Sequence, residues 1–474
     1  MKHHSCSQRL PTGSWALALI LALAAIPFWP AVSLAQAATP AAEPETAMYV
    51  LSIARLGGFL QEPEKEPTEF FRRVGRVVLG QSNLFADDQL RMAGFYGSSF
   101  ALGNLFQDRL FARDWSGPQK KAVEQLLAQA EPVLATLAGG LPAAKEGLSF
   151  RGVFDPKGLV GPLASALESG KIPEGLRQSQ VFKLRNRVLP VLQVADLIVF
   201  AGILSHEGLE FRVQMLGGPM YKENLQETGG PPAPLTTVKY VSPDSLVTFA
   251  QVHMGQTAAG LMQSLREFPQ TKTVECFLAS AGLDLEKDIL DNPGKETVVS
   301  INLTPRGEGG IPDLQGFARV KDPLKLLTIA PNLKQLAMSL GIFVAPFLDA
   351  PPSFRLSYFM APQIGVHVAM RGELLLFATH RDLMVELVKR MDEIDTGRLA
   401  AFPVPAGVHR YWRIAFSRLN EQLQQFLQSP LLTGKDIPPV PNLDVAGELG
   451  NLEFLTRILP DKVDISISLP MARK

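Results

Sequence analysis

The sequence predicts an α+β protein of two domains, each a mainly antiparallel sheet packed with helices. Residues 353–391 carry the clearest evidence, because apolar residues first alternate as in three strands and then recur at helical spacing. Residues 217–235 hold four glycines and four prolines, which predicts a linker between the domains. Residues 208–215 and 462–469 both alternate like a strand that closes one half of the chain, so an internal duplication is an open alternative.

The first 37 residues predict a secretory signal peptide. A basic start precedes an apolar core over 15–28 and the small-x-small site Ala35-Gln36-Ala37, so we expect cleavage after Ala37. The apolar core is short for a membrane span, and its retention as an anchor is the alternative. Residues 38–46, which follow, are small and contain two prolines, and they predict a linker.

The composition limits the classes of partner and the compartment. The 474 residues carry 46 basic and 46 acidic side chains, and this balance gives no reason to expect nucleic acid or an anionic membrane as partner. Once the signal peptide is removed, Cys276 is the one cysteine left, so no intrachain disulfide can form. We therefore expect a periplasmic or secreted bacterial protein. Cys276 lies among apolar residues and is predicted to be a buried, inert thiol.

The N-terminal domain is predicted over residues 47–216. Thr68 caps a helix over 69–80, whose three arginines (Arg72, Arg73 and Arg76) indicate a solvated face rather than an anion site. A second helix begins near Pro118 and ends at Gly139-Gly140, and Pro132 is expected to kink or divide it. The remaining well-defined elements are a strand over 148–154 and a hairpin of strands over 196–204 and 208–216.

The C-terminal domain is predicted over residues 236–474. In strands 354–360 and 364–370 the large apolar residues fall on one side, which is expected to be the buried one. The side with Arg355, Ser357 and His367 is then expected to face water, a partner or the first domain. The other predicted elements are helices over 256–268 and 273–281, strands over 297–303 and 314–320, a helix from Pro323 broken near Pro331, a strand over 373–379, a helix over 382–391, a strand over 408–416, a helix over 417–428 and a last strand over 463–469.

Two short motifs begin like catalytic signatures, and neither is complete. His206-Glu207 resembles the start of a zinc-protease helix, but Glu210 stands where the second histidine is needed. His380-Arg381-Asp382 resembles the start of a kinase catalytic loop, but Leu387 stands where an asparagine is needed. We interpret the first as a hairpin turn and the second as a strand-to-helix junction, in which Asp382 favours the helix N-terminus.

The other chemically active side chains are scattered. His253, His367 and His409 lie on separate predicted strands, and a cluster of the three would form a metal or acid–base site. Each is expected instead to be a partly buried, hydrogen-bonded side chain. Asp284 and Asp288 have helical spacing, and a solvated helix end is favoured over an acid pair. The sequence therefore predicts no catalytic residue, no metal site and no cofactor, and it identifies no ligand-binding residue.

Residues 238–395 resemble a group of uncharacterised bacterial exported proteins, known as a domain of unknown function. The likeness rests on residues 241–246 (VSPDSL), 282–289 (GLDLEKDI), 320–323 (VKDP) and 372–378 (GELLLFA). It implies export and a sheet with helices, and it implies no activity.

The sequence thus favours an exported, non-catalytic envelope protein that acts by binding or scaffolding. One alternative is a periplasmic carrier of a lipid or another hydrophobic ligand, since phenylalanine and methionine are abundant at 27 and 13 residues. Another is a hydrolase whose site is assembled only in three dimensions. The partner is an unidentified envelope protein or hydrophobic ligand.

Overall fold

The structure, a computed structural model, describes these residues: 49–53, 118–141, 150–156, 194–205, 208–227, 230–252, 275–276, 278–280, 282–290, 293–306, 311–339, 341–349, 351–429, 432 and 449–471. They form two compact units. The first holds the described residues up to Leu225 together with 459–471, and the second holds those from Gln226 to Ile458. The predicted features that lie outside the described residues are the signal peptide, the linker 38–46, the helices over 69–80 and 256–268, His206-Glu207 and His253.

The first unit is an antiparallel sheet covered by a long helix. Its described strands, numbered in chain order, are in spatial order β1 (Tyr49–Ile53), β2 (Phe150–Phe154), β3 (Ala195–Ser205), β4 (Gly208–Gly217) and β14 (Lys462–Pro470). Helix α1 (Pro118–Gly139) buries Leu126, Ala130, Leu134 and Leu137, which are three or four residues apart and share one face. These side chains pack on apolar residues of β2 and β3 to form the core of this unit.

Neither proline divides its helix, so the predicted break near Pro331 is wrong and so is a division at Pro132, while a kink at Pro132 stays a prediction. Pro132 lies inside α1, and Pro331 lies inside α3 (Pro323–Ser339). A proline removes one backbone hydrogen bond, but the packing of the turns on either side can keep the helix continuous. In α1 the buried Ala130 and Leu134 flank Pro132 and hold both of its turns against the sheet.

Part of the predicted linker over 217–235 is helical, which corrects the expectation that it would hold no regular structure. Helix α2 (Pro219–Glu227) is separated from the end of β4 by one residue, Gly218. Pro219 occupies the first helical position, where a missing N–H has no cost. The glycines and prolines of the segment lie at its two ends, and residues 220–228 contain neither.

The last strand of the chain returns to the first unit. β14 pairs antiparallel with β4, from Lys462 opposite Leu216 to Pro470 opposite Gly208. These are the two strands whose similar alternation raised the possibility of a duplication, and they are hydrogen-bonded neighbours. Residues 459–471, which fall within the predicted C-terminal domain, therefore belong to the first unit.

We expect Tyr221→Phe to lower the free energy of unfolding of the first unit by about 1 kcal/mol. The Tyr221 hydroxyl donates to the Leu459 carbonyl at 2.7 Å and lies 3.1 Å from the Lys462 carbonyl, so it holds the turn that leads into β14. Burial, with smaller contributions from Asp461 and Asp464, raises the pKa of Tyr221 to about 12, so this donor stays protonated beyond the pH at which an exposed tyrosine ionises. Hydrogen exchange of the β14 amides measures the change, and unaltered exchange would contradict it.

The second unit is a larger antiparallel sheet with helices. Its described strands, in spatial order, are β13 (Asn451–Ile458), β12 (Arg410–Ala415), β5 (Val247–Val252), β6 (Pro293–Arg306), β7 (Ile311–Val320), β11 (Leu374–Ala378), β10 (Ala361–Arg371), β9 (Ser353–Tyr358) and β8 (Ile342–Phe347). Besides α3, its described helices are a 3₁₀ helix (Thr237–Tyr240), a π-helical turn (Leu285–Leu290), α4 (Arg381–Asp395) and α5 (Phe416–Leu427).

Helix α4 covers one face of this sheet. Its buried residues Leu383, Met384, Leu387 and Met391 form a single stripe, as the apolar spacing predicts. Under them lies a row of paired residues, one from each of seven neighbouring strands: Leu455, Tyr411, Ala250, Val298, Phe317, Leu376 and Ala369. Leu376, Met384 and Tyr411 have no exposed surface, so helix and sheet are in direct contact.

The coarse prediction of a mixed α+β protein with mainly antiparallel strands is confirmed. The meander and helix over 353–391 form β9, β10, β11 and α4. The first turn of the meander falls at Phe359-Met360 rather than around Pro362, which lies within β10. None of the described helices is both long and apolar enough to cross a membrane.

Candidate binding surface

The buried and exposed faces of β9 and β10 are the reverse of the prediction. The alternating pattern predicts that Phe354 is buried and that His367 faces outward. In the structure Ser353, Ser357 and His367 are buried, and Phe354 is 50% exposed. The face with His367 is the face that α4 covers, because His367 and the buried Ala369 of β10 lie on the same side of the strand.

Small side chains explain why α4 packs on this face. Ala369 of β10 and Ala378 of β11 share a buried cluster with Met384 of α4, and their small side chains let the helix approach the strands closely. Gly365 is small for another reason, because a side chain there would meet the Leu356 carbonyl and the Arg355 side chain of the neighbouring β9, about 3 Å from its Cβ. The larger apolar residues of the same strands therefore lie on the opposite face.

A continuous apolar row crosses that opposite face. Register places one residue from each described strand of the second unit side by side: Phe454, Trp412, Phe249, Val299, Gly316, Phe377, Val368, Phe354 and Pro346. Trp412 packs edge-on against Phe249, with ring centroids 5.2 Å apart. The exposed members of the row are Trp412 near one end, and Phe354 and Pro346 at the β8 end.

Most of the exposed large apolar side chains of the described residues belong to one stretch, 324–360. We call this set the apolar edge, and its members are Leu324, Leu327, Met338, Phe343, Leu348, Phe354, Phe359 and Met360. They lie on α3, on β8 and β9, and on the turns beside these strands. Scattered exposed apolar residues are ordinary, but a concentration of this kind indicates an interaction site.

The apolar edge is also poor in charge. Residues 323–370 contain four charged side chains (Lys325, Lys334, Asp349 and Arg355), where the 19% of the whole chain would give about nine. Lys325 is paired with Asp288 at 3.3 Å, which neutralises one of them. Solvent-facing protein surface normally carries many more charges, so this region is better suited to contact with another apolar surface than to contact with water.

A buried polar cluster lies next to the apolar edge, on the face that α4 covers. The His367 ring packs against Phe347 with centroids 5.2 Å apart, and its Nδ1 has no hydrogen-bond partner among the described residues. Arg381 lies over the same phenylalanine at 5.8 Å. Its guanidinium donates to the Asp349 and Pro351 carbonyls and to Ser353 Oγ, and so fixes the loop between β8 and β9 to the start of α4.

The electrostatics of this cluster keep His367 neutral. Burial, followed by the charges of Arg355 and Arg381, lowers the pKa of His367 to about 4. Arg355 donates to the Pro362 carbonyl at 2.8 Å. Neither arginine has a carboxylate within 4.0 Å among the described residues, so the cluster is rich in donors and positively charged.

The structure does not bring the described candidate histidines together. His409 is buried, with Nε2 donating to the Pro232 carbonyl at 2.9 Å and Nδ1 accepting from the Ile458 N–H at 3.0 Å, and burial lowers its pKa. It precedes β12, which is five strands from the β10 of His367, or roughly 24 Å at about 4.8 Å per strand. Within the described residues no group of three His, Cys, Asp or Glu could hold a metal ion.

The remaining candidates have structural roles or differ from the prediction. Cys276 is exposed, so the expectation of a buried thiol is wrong. Cys276 is two residues before the buried Leu278. Residues two positions apart on a helix are separated by about 200° around its axis, so the two side chains lie on opposite sides. Asp288 accepts from the Asp284 N–H at 2.8 Å and Asp284 accepts from the Lys287 N–H at 2.8 Å, as at a helix end.

The two incomplete catalytic motifs lie on different elements, one at strand β4 and one at the start of helix α4. Glu210 lies on β4, opposite Ile203 and Ser468, and is therefore on a strand rather than on a protease helix. His380 is the residue before α4, and its Nε2 lies 3.2 Å from the Ile311 carbonyl. Asp382 is in the first turn of α4, where the helix dipole favours a negative charge.

No family model matches the chain, and comparisons with curated proteins and with solved structures find no match either. The resemblance of residues 238–395 to an exported family of unknown function stays a prediction. The apolar edge was missed by the motif analysis because it contains no catalytic residue type. The signal that could have found it is the scarcity of charge over 323–370.

Proposed function

We propose that this is an exported envelope protein that acts by binding a partner through the apolar edge, without catalysis. The observation that carries the proposal is the concentration of exposed leucine, methionine and phenylalanine side chains on α3, β8, β9 and the adjoining turns. Burying such a surface against a partner releases ordered water and stabilises the complex at about 25 cal/mol per Å² of apolar area.

The packing beneath α4 supports binding at the surface rather than carriage of a ligand inside the second unit. A lipid-sized site between helix and sheet needs open space, and that layer is filled by Leu376, Met384 and Tyr411. The separation of His367 from His409 likewise offers no support for a hydrolase built on these two residues.

The proposal includes export and a two-domain architecture. The signal peptide over 1–37, with cleavage after Ala37, would place the protein in the periplasm or outside the cell. Each compact unit has a hydrophobic core of its own, one around α1 and one around α4, which supports two domains. The two strands whose alternation suggested an internal duplication lie in one unit, so they give that origin no support.

The test is retention of envelope components on the purified, immobilised chain. We expect the double variant Phe359→Ser, Met360→Ser to lose at least tenfold of a component that the natural chain retains from a detergent-solubilised envelope fraction. Both side chains are about three-quarters exposed in a turn, so their replacement should leave the fold intact.

The matched control is Val385→Ser on the outer side of α4, which is also exposed and apolar but lies outside the apolar edge. It should retain the component as the natural chain does. Equal retention by the double variant and the natural chain would contradict the proposed function.

A further inference from the structure

Strand β8 forms one end of the second unit's sheet. It pairs with β9, from Ile342 opposite Tyr358 to Phe347 opposite Ser353, and with no other described strand. Its outer edge therefore presents backbone N–H and C=O groups without strand partners in the described part of the chain. Natural proteins blunt such edges with charged residues, and β8 (IFVAPF) has none, with Pro346 its one blunting feature.

We infer that the occupant of the apolar edge is a second copy of this chain, paired antiparallel through β8 about a two-fold axis. This inference rests on the proposed function and names its partner. Pairing strand to strand would satisfy the outward backbone groups of both copies and extend the sheet across the dimer.

The two ends of β8 make this surface complementary to itself. Leu348, which is 85% exposed, follows the carboxyl end of the strand. At its other end the Phe359 N–H donates to the Gly341 carbonyl, which places the exposed Phe359-Met360 turn beside the start of the strand. In an antiparallel pair, the exposed Leu348 of one copy lies at the Gly341 end of β8 in the other, the end that the Phe359-Met360 turn adjoins from the β9 side.

The apolar edge is large, and it is divided between the two faces of the sheet, since Phe343 lies opposite the buried Ser357 and Phe354 lies on the other side. At roughly 200 Å² for a fully exposed large side chain, the apolar edge exposes about 1,000 Å² per copy. A standard specific interface buries about 800 Å² per partner, and the largest apolar patch of a typical monomer is about 300–600 Å². The scarcity of charge is also consistent with two identical surfaces in contact, because neither copy repels the other.

The pairing symmetry restricts the register. A two-fold axis perpendicular to the sheet keeps the α4-covered faces of both copies on the same side, so one residue of β8 must pair with its own counterpart across the axis. Near the middle of β8 that residue is Val344 or Ala345. The two copies of that residue have Cα atoms about 4.5–5.5 Å apart, a separation that a disulfide can bridge.

Mass measurement by light scattering during gel filtration tests the state of the complete chain. We expect twice the mass of one chain for the natural protein and a single-chain mass for Phe343→Glu, because two carboxylates would be brought into the interface. Phe343 is 58% exposed, so the change should not unfold the protein, and Val385→Glu on α4 is the matched control that should remain a dimer. A natural chain of single mass, or a dimeric Phe343→Glu, would overturn the inference.

Oxidative cross-linking gives a second, independent readout. In a Cys276→Ser background, either Val344→Cys or Ala345→Cys should form a covalent dimer, while Lys389→Cys on the exposed side of α4 should not. Cross-linking of neither β8 variant above the control would overturn the inference. If the natural chain has a single-chain mass and the Phe359→Ser, Met360→Ser variant loses the envelope component, the dimer is contradicted and the proposed function is supported.

Discussion

We expect Met384→Ala to lower the free energy of unfolding of the second unit by about 3 kcal/mol. Met384 lies on α4 with no exposed surface, in the cluster that joins the helix to Phe317 and Leu376 of the sheet. Truncation removes its apolar contacts and leaves a cavity, because close-packed neighbours on the strands can move only slightly to fill it.

The adjacent residue provides the control. Val385 is 39% exposed on the same helix, and Val385→Ala should change the free energy of unfolding by less than about 0.5 kcal/mol. Hydrogen exchange of the α4 and β11 amides is the appropriate measurement, since a chain with two compact units need not unfold in one step. Equal effects of the two substitutions would contradict the packing of α4 on the sheet.

Local periodicity was sufficient to predict the strands and the helix over 353–391, but it could not assign their faces. Alternation shows that the two sides of a strand differ and does not show which side a helix will cover. In β10 the side with Ala369 was covered, because small residues there let α4 approach closely. The larger apolar residues were left on the other face, and that outcome depends on tertiary packing.

The sequence also could not predict which strands pair when they are far apart in the chain. The alternation of β14 predicts a strand equally well in either unit, and only the fold shows that β4 is its partner. The same limit applies to the apolar edge. Low charge over 323–370 is visible in the sequence, but a buried core segment has the same composition, so exposure had to come from the structure.

The environment of His367 could not be predicted either, because it is assembled from three separate elements. Arg355 belongs to β9, while His380 and Arg381 stand at the start of α4. Single-sequence reasoning expects a buried histidine to be hydrogen-bonded, whereas Nδ1 of His367 has no partner among the described residues. Burial next to cations has a measurable consequence for stability.

We expect the second unit to lose about 3 kcal/mol of stability through His367 as the pH falls from about 7 to about 4. The pKa of His367 is about 4 in the folded protein and 6.5 when the residue is exposed. The unfolded chain therefore takes up this proton first, so the contribution is complete above pH 6.5 and is lost progressively as the pH falls toward 4. Protonation in the folded state would add a cation beside Arg355, Arg381 and His380, with attraction from Asp382 alone among the charges that face it.

His367→Gln removes this titration while keeping a polar side chain, and it should flatten the stability profile between those two pH values. The informative quantity is the difference between the natural chain and the variant, because other groups titrate in both and cancel. Hydrogen exchange of the β10 and α4 amides at several pH values measures it. Parallel profiles for the two proteins would show that His367 is as easily protonated in the folded state as in water. The packing of His367 under α4, between Phe347 and the arginines, would then be wrong.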